Sequence, residues 1–582
     1  MKVYPANLKI TSQLRFQKPG PETAVALAGT AFSAILLILT AINAGPLWRD
    51  EVNTINMAQM PSLNELWNNM PFESFPPLWP LLLRGCSFLG LVDSDESIRV
   101  LGLYVGLFFL ASLWLCSRWT GGRAPTMSIA LLGSLPAFIF IVGANRAYGL
   151  ASGLLVLSFG MIWRMVEIPS RSRVLWTGLI CILFTQCVYY DVVFLCAMLA
   201  GAAMVAIRRR QWKTLVALVG IGTVSGASMA IYLPIIHRGS ACVPMIRHPF
   251  FDPSALWYGL CDALASRSNT QPGSSNGPMV WFWVVLLLGG SIVALVMQRG
   301  CGRRALNQEA AGAITARVRA DLALFCVVSM LFGIAGYLIF LLKLRFFMQT
   351  WYYVGILSLC AISLDGLLGA NWPKLRPWGL LRVGLMVVML TWYARSAWEE
   401  AHTRRSNVDL IADVLGQKAS ERDLIVVQGA WEGITFDRYY HGRTHWVTVP
   451  PIDSHKVHRT DLALEKMNQR DPMAPVLREI TDTLRSGNRV WLVGHVTVVH
   501  PRPLPSPPHP PAEWWLGSYF AYWSAQVTTH LLDHALEGHV IEIPVNGPVN
   551  RLENLPVVRF SGYKSDANPS PAGAQAEQRM IR

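Results

Sequence analysis

From Thr23 to Trp398 the chain is a succession of apolar stretches of roughly 17 to 23 residues, each long enough to cross about 30 Å of hydrocarbon as a helix. Backbone that faces lipid must pair its N–H and C=O groups within the segment, so such a succession folds as a bundle of membrane-spanning helices. After Glu399 the stretches stop, and charged and polar residues alternate with short apolar runs as far as Arg582. A content of 15% charged residues, against roughly 25% in ordinary soluble domains, is the average of these two unlike parts. The expected fold is a polytopic α-helical membrane domain over residues 1–398, followed by a soluble α/β C-terminal domain over 399–564. A tail over 565–582, rich in Ser, Pro, Ala and Gln, reads as disordered.

The net charge of +14 comes without a basic helix or a recognition motif, so nucleic acid is not an expected partner. The basic residues lie between apolar segments instead, and short cytoplasmic loops collect Lys and Arg. With the N-terminus inside, the segment Pro76 to Val92 decides the threading. If it spans, Arg208, Arg209, Arg210, Lys213 and the basic loop from Arg299 to Arg319 all fall outside; if it is re-entrant or interfacial, they fall inside. The second threading obeys the charge rule, and Pro76, Pro77, Pro80 and Arg84 suit a helix that rests on protein. It gives about eleven spans, near 23–44, 98–117, 126–143, 147–165, 174–190, 191–207, 214–236, 279–298, 322–342, 350–369 and 378–396. The C-terminal domain then lies outside the cytoplasm, in a multi-pass protein of the plasma (inner) membrane. The ten cysteines include no CxxC pair; Cys242 and Cys261 share a long outer loop in which a disulfide is an open question.

This threading brings the unusual polar groups to one face: Asp50 and Glu51, Glu73 in FESFPP, Arg146 and Tyr148 in ANRAYGL, Tyr189 to Asp191 in VYYD, and Lys343 with Arg345 in LKLRFF. Each has an ordinary reading as a helix end, a snorkelling cation or part of an aromatic belt. Together they read as a site, because charge at a lipid boundary is costly. A carboxylate such as Asp50 can take a proton from an incoming hydroxyl, while Arg or Lys neutralises a departing phosphate. That division of labour suits glycosyl transfer from a lipid-linked phosphate.

The order WRDE, FPPLWPLLL, SIRVLGLYVG, ANRAYGL resembles the GT-C superfamily of membrane glycosyltransferases, in the branch of protein O-mannosyltransferases and aminoarabinose lipid A transferases. The likeness extends from Pro46 to about Ala370. It implies a polyprenyl-phosphate sugar donor, an extracytoplasmic glycan, lipid or protein acceptor, and in-line displacement with inversion. On this chain it implies Asp50 as general base and Glu51 as its catalytic neighbour, which positions acceptor or donor. It also implies Arg146 as holder of the donor phosphate; Tyr148, Lys343 and Arg345 are read beside it as donor-phosphate ligands, and Glu73, Tyr190 and Asp191 as substrate-binding residues, from their place on the same face. The chain departs from the family in lacking HPDE, in reading YYD, and in carrying Phe346 and Phe347 where relatives often have Arg-Tyr; the acceptor stays open. One Asp-Glu pair does not make a metal site, so a divalent cation is left open.

In the C-terminal part, DLIVVQ, HWVTVP and RVWLVGHV read as buried strands, with further strands near Val540 to Pro544 and Pro556 to Phe560. Alternation with helical segments points to a largely parallel sheet. Pro501 to Pro511 reads as a surface loop. No phosphate-cradling loop, nucleophile elbow or zinc spacing is present, so this domain is expected to shape the acceptor side. Asp437, Tyr439, Tyr440 and His441 read first as half-buried packing. A transporter or lipid flippase would show repeats and midplane charges, and neither is seen; a non-catalytic binder of lipid-linked sugar is the third reading.

Overall fold

The computed structural model describes residues 20–121, 124–240, 252–265, 277–304, 310–345, 349–371, 376–496 and 516–564. The tail beyond 564, the Pro501–Pro511 segment and Cys242 lie outside the described residues. Helix α1 (Pro21–Asn43) leads to three short helices, α2 (Arg49–Ala58), α3 (Leu63–Asn69) and α4 (Leu78–Ser87), and then to α5 (Asp95–Trp119). There follow α6 (Thr126–Leu132), α7 (Pro136–Val142), α8 (Ala147–Glu167), α9 (Arg171–Thr185), α10 (Asp191–Arg208), α11 (Trp212–Ala230), α12 (Leu233–Ser240) and α13 (Pro253–Ala263). Helices α14 (Gly277–Arg304), α15 (Ala310–Leu344), α16 (Val354–Asn371) and α17 (Arg376–Ala401) complete the helical part.

Among the described residues, eight helical segments are long and apolar enough to cross a membrane: α1, α5, α8, α10, α11, Arg317–Leu344, Thr350–Leu368 and Leu380–Ala401. Helix also occupies the other three expected spans, with differences that their residues explain. Over 126–143 it is two seven-residue helices, because Pro136 lacks an N–H and forces Leu135 out of the helical region, to φ −70° and ψ 119°. Helix α9 has only 15 residues, and α14 runs through the whole of the expected 279–298 span. The segment expected to rest on protein does so: α4 has ten residues, too few to cross at 1.5 Å each, and it packs on α2 with Trp79, Pro80 and Leu83 buried.

Helix α8 is buried almost all round, whereas α1, α11 and α17 expose Ile35, Val216 and Val388, as lipid-facing helices do. Its packing needs a glycine. A Cβ at Gly149 would lie 2.6 Å from the Val142 carbonyl oxygen, and one at Gly102 of α5 would lie 2.5 Å from that of Gly143.

The C-terminal part comprises α18 (Val408–Lys418), β1 (Leu424–Gln428), α19 (Glu432–Tyr439), β2 (His445–Val449), α20 (Thr460–Met467), α21 (Ala474–Arg485), β3 (Val490–Val493), α22 (Leu516–His534), β4 (Ala535–Ile541) and β5 (Val557–Tyr563). The sheet order is β2-β1-β3-β5-β4. The first three strands are parallel, with Val426 opposite both Val447 and Leu492; β5 and β4 join antiparallel at the other edge. Both faces of β1 and β3 are covered, which is why these strands are apolar but for Gln428 at the end of β1. Leu424, Val426, Val490 and Leu492 face the cluster containing α21 and α22, while Ile425, Val427, Trp491 and Val493 face α18 and α19.

The sheet domain is stitched to the bundle next to the end of α1. Arg405 donates its backbone N–H to Ala44 O (2.7 Å), and its guanidinium donates to Phe140 O (2.6 Å) while lying 3.8 Å above the Phe140 ring. Asp95, at the start of α5, accepts from Arg438 (2.8 Å) and from the Tyr439 hydroxyl (2.5 Å). Tyr439 also accepts from Leu47 N at 2.8 Å, so this aromatic serves docking as well as packing.

Candidate active site

The chain leaves α1 through Gly45, whose φ of +64° turns it toward α2. The first turn of α2 then sends two adjacent carboxylates in different directions. Glu51 points inward and is fully buried. Its Oε1 accepts from Arg99 Nη1 (2.7 Å) and Asn145 N (2.9 Å), and its Oε2 accepts from Trp48 N (3.3 Å). Arg99 also donates to Pro46 O at 2.6 Å. One carboxylate therefore ties α2 to α5 and to the link between α7 and α8.

Asp50 faces the opening, with its side chain 21% exposed. Its Oδ1 lies 3.3 Å from His458 Nε2 and 3.7 Å from Arg49 Nε, and its Oδ2 lies 4.0 Å from Arg146 Nη2. Burial pushes this carboxyl up, but the hydrogen bond from His458 and the charges of Arg146, His458 and Arg49 outweigh burial and hold it well below the usual carboxylate range.

Arg146 precedes α8 and is buried. Its Nη1 donates to Asp50 O (2.7 Å) and Thr54 Oγ1 (2.6 Å) and lies 3.2 Å from Glu73 Oε1. Its guanidinium carbon sits 4.4 Å above the Phe75 ring. Glu73 completes the cluster by accepting from Thr54 Oγ1 (2.7 Å), Asn53 Nδ2 (3.1 Å) and Ser74 N (2.8 Å).

Deeper in the bundle, Tyr148, Ser152, Val188, Tyr190, Asp191 and Gly355 line a small cavity. Tyr148 meets Phe75 edge-on at 4.9 Å, which joins this cavity to the ring under Arg146. Asp191 is buried, and its Oδ2 has no hydrogen-bond partner among the described residues. Tyr190 packs on Tyr337 of α15 at 5.3 Å. Lys343 and Arg345 lie further along, at the end of α15, with exposed side chains. The structure thus gathers Asp50, Glu51, Glu73 and Arg146 in one cluster and sets Tyr148, Tyr190 and Asp191 beside it, while Lys343 and Arg345 stand at the end of α15. Among the described residues no group of three or more His, Cys, Asp or Glu is arranged to hold a metal ion.

Sequence reasoning did not single out Arg49, Arg99, Asn53, Thr54 or the partners supplied by the sheet domain. Those partners are His458, Glu432 and Glu553: Arg49 Nη1 meets Glu432 Oε1 at 2.5 Å, and Arg49 N donates to Glu553 Oε1 at 3.3 Å. Arg99 carried a usable signal, a cation near the start of an apolar span that needs a carboxylate. His458 carried none.

Fold and site together define a polytopic helical membrane protein whose charged cluster, at one end of the bundle, is partly covered by an α/β domain. No protein-family model matches the chain, and no curated protein does. Among solved structures, the chain is similar to ArnT from Cupriavidus metallidurans bound to undecaprenyl phosphate, at 15% identity and a TM-score of 0.35, over 94% of this chain and 100% of that one. It is also similar to the Archaeoglobus fulgidus oligosaccharyltransferase in complex with Zn and sulfate, at 11% identity and a TM-score of 0.44, over 90% of this chain and 73% of that one.

Proposed function

We propose that this chain is a membrane glycosyltransferase that moves a sugar from a polyprenyl-phosphate donor to an acceptor outside the cytoplasm. The observation that carries the reading is Asp50: a carboxylate kept ionised at the mouth of a buried polar cluster, with Arg146 beside its Oδ2. In this reading Asp50 takes the proton of an acceptor hydroxyl as that oxygen attacks the anomeric carbon. The bond from that carbon to the phosphate oxygen breaks on the opposite face, which inverts the configuration. Arg146 faces the charge that gathers on the leaving phosphate, and Lys343 and Arg345, at the end of α15, receive the headgroup of the lipid. Glu51 fixes the start of α2 so that Asp50 faces the opening, and Glu73 holds Arg146. In this reading Tyr148, Tyr190 and Asp191, which line the cavity beside the cluster, serve the sugar hydroxyls.

The test is sugar transfer in vitro by the purified protein, with a panel of polyprenyl-phosphate sugars and cell-envelope acceptors. Asp50→Asn is expected to lower turnover by about 10²–10⁴-fold, the usual contribution of a general base, in a protein that still elutes as a folded monodisperse species. Turnover that survives this substitution removes Asp50 from the chemistry. A wild type inert across the panel sinks the proposal.

A further inference from the structure

The contact between Asp50 and the sheet domain has more content than docking. His458 lies in the segment between β2 and α20, and its ring is fixed from several sides. Its backbone N–H donates to Asn53 Oδ1 (2.8 Å), one turn after Asp50 on α2. Trp431 meets the imidazole edge-on at 5.4 Å. Two residues before it, Lys456 O accepts from Asn56 Nδ2 at 2.8 Å, which ties the same segment to the next turn of α2. The ring so held presents Nε2 to Asp50 Oδ1 at 3.3 Å.

We infer that His458 is a positioning residue for the proposed transfer: it holds Asp50 Oδ1 by a donated N–H, which leaves Oδ2 aimed at the acceptor hydroxyl. The inference rests on the glycosyl-transfer reading and adds to it that the sheet domain completes the active site. No bond of His458 is made or broken in the step. The proton goes from acceptor oxygen to Asp50 Oδ2, and His458 keeps the carboxylate oriented and ionised until it arrives. Among the described residues, the charged and titratable groups facing Asp50 are Arg49 on α2 itself, Arg146 before α8, Tyr148 on α8, His458 from the sheet domain, and Tyr352 from the turn before α16. Glu432 and Glu553 act on it through Arg49, and Glu73 acts through Arg146. Removing His458 takes away the hydrogen bond that Asp50 accepts and leaves the two arginines.

The experiment compares wild type, His458→Ala and His458→Gln in the transfer assay across pH. Misplacing a catalytic group costs up to about 10²-fold in rate, so His458→Ala is expected to lose about 10- to 100-fold in kcat with the donor KM within about twofold. Its acid limb is expected to move to higher pH, since Asp50 then protonates more easily. His458→Gln keeps an N–H donor and is expected to recover most of kcat and the wild-type limb. A kcat for His458→Ala within twofold of wild type overturns the inference, as does an equal loss in both variants with an unmoved limb. A second measurement needs no turnover. The double variant Asn56→Cys, Lys456→Cys in native membranes is treated with a short bismaleimide, and the joined peptides are read by mass spectrometry. Cross-linking supports the seated segment, and failure to cross-link overturns it. A wild type that transfers no sugar retires the parent reading, a result distinct from an active wild type that His458→Ala leaves unchanged.

Discussion

At the scale of single residues, the two adjacent acids read together in the sequence have different surroundings and should fail differently. Glu51 is sealed against Arg99, so Glu51→Gln leaves a buried guanidinium without its countercharge, a loss of about 3–5 kcal/mol for a buried pair broken on one side. The expected outcome is a low yield and a lowered melting midpoint in detergent, with inactivity secondary to instability. Asp50→Asn should melt near the wild type. Arg146→Lys keeps the charge but loses the second nitrogen, Nη2, which lies 4.0 Å from Asp50 Oδ2, and the planar guanidinium over the Phe75 ring. It should cost both stability and roughly tenfold in kcat/KM, read from melting curves and initial rates. Asp50, Glu73 and Arg146 were legible because charge at the edge of an apolar span needs an explanation. Arg99 was equally exposed to that logic and was passed over inside a motif. His458 was not legible, since nothing periodic links an irregular segment of a soluble domain to the first turn of α2.

At the scale of elements, the spans were legible because length and apolarity are set by the bilayer itself, and the strands because both faces of β1 and β3 are covered. What sequence blurred were the breaks. Pro136 stands inside an expected continuous span, and its effect on Leu135 shows only in the backbone. The edge strand β4 begins at Ala535, earlier than its apolar residues suggest, because pairing with β5 sets its extent. The tight meeting of α7 and α8 gives a sharp comparison. Gly149→Ala puts a methyl 2.6 Å from the Val142 carbonyl oxygen, whereas Gly226→Ala on α11 meets nothing within 4 Å. The first should destabilise by about 1–3 kcal/mol, as overpacking does, and the second should be neutral or stabilising by up to about 1 kcal/mol. Thermal midpoints of the two variants in the same detergent check the contrast.

At the scale of the whole molecule, the join between bundle and sheet domain should respond to pH through Glu553. Burial pushes its carboxyl up to about 8 from the ordinary 4.5, against the pull of Arg49 and a hydrogen bond from Thr435. A raised folded value means that the unfolded chain gives up this proton first. Stability from this group is therefore full below about 4.5, declines as pH rises, and is lost by about 8. The thermal midpoint of the wild type should fall across that window, and Glu553→Gln should flatten the fall; equal slopes would remove Glu553 from the pH response.

The geometry of the join also governs when during synthesis a working protein can exist. Asn53 and the His458 backbone that it holds are 405 residues apart in the chain, and the end of α1 is clasped by Arg405 just after the last helix of the bundle. The ribosome therefore delivers Asp50 to the membrane long before the residues that orient it have been made. Every nascent intermediate that stops short of His458 carries the acid without its holder, so a product truncated there is inserted with its acid unoriented, and full competence waits on the sheet domain.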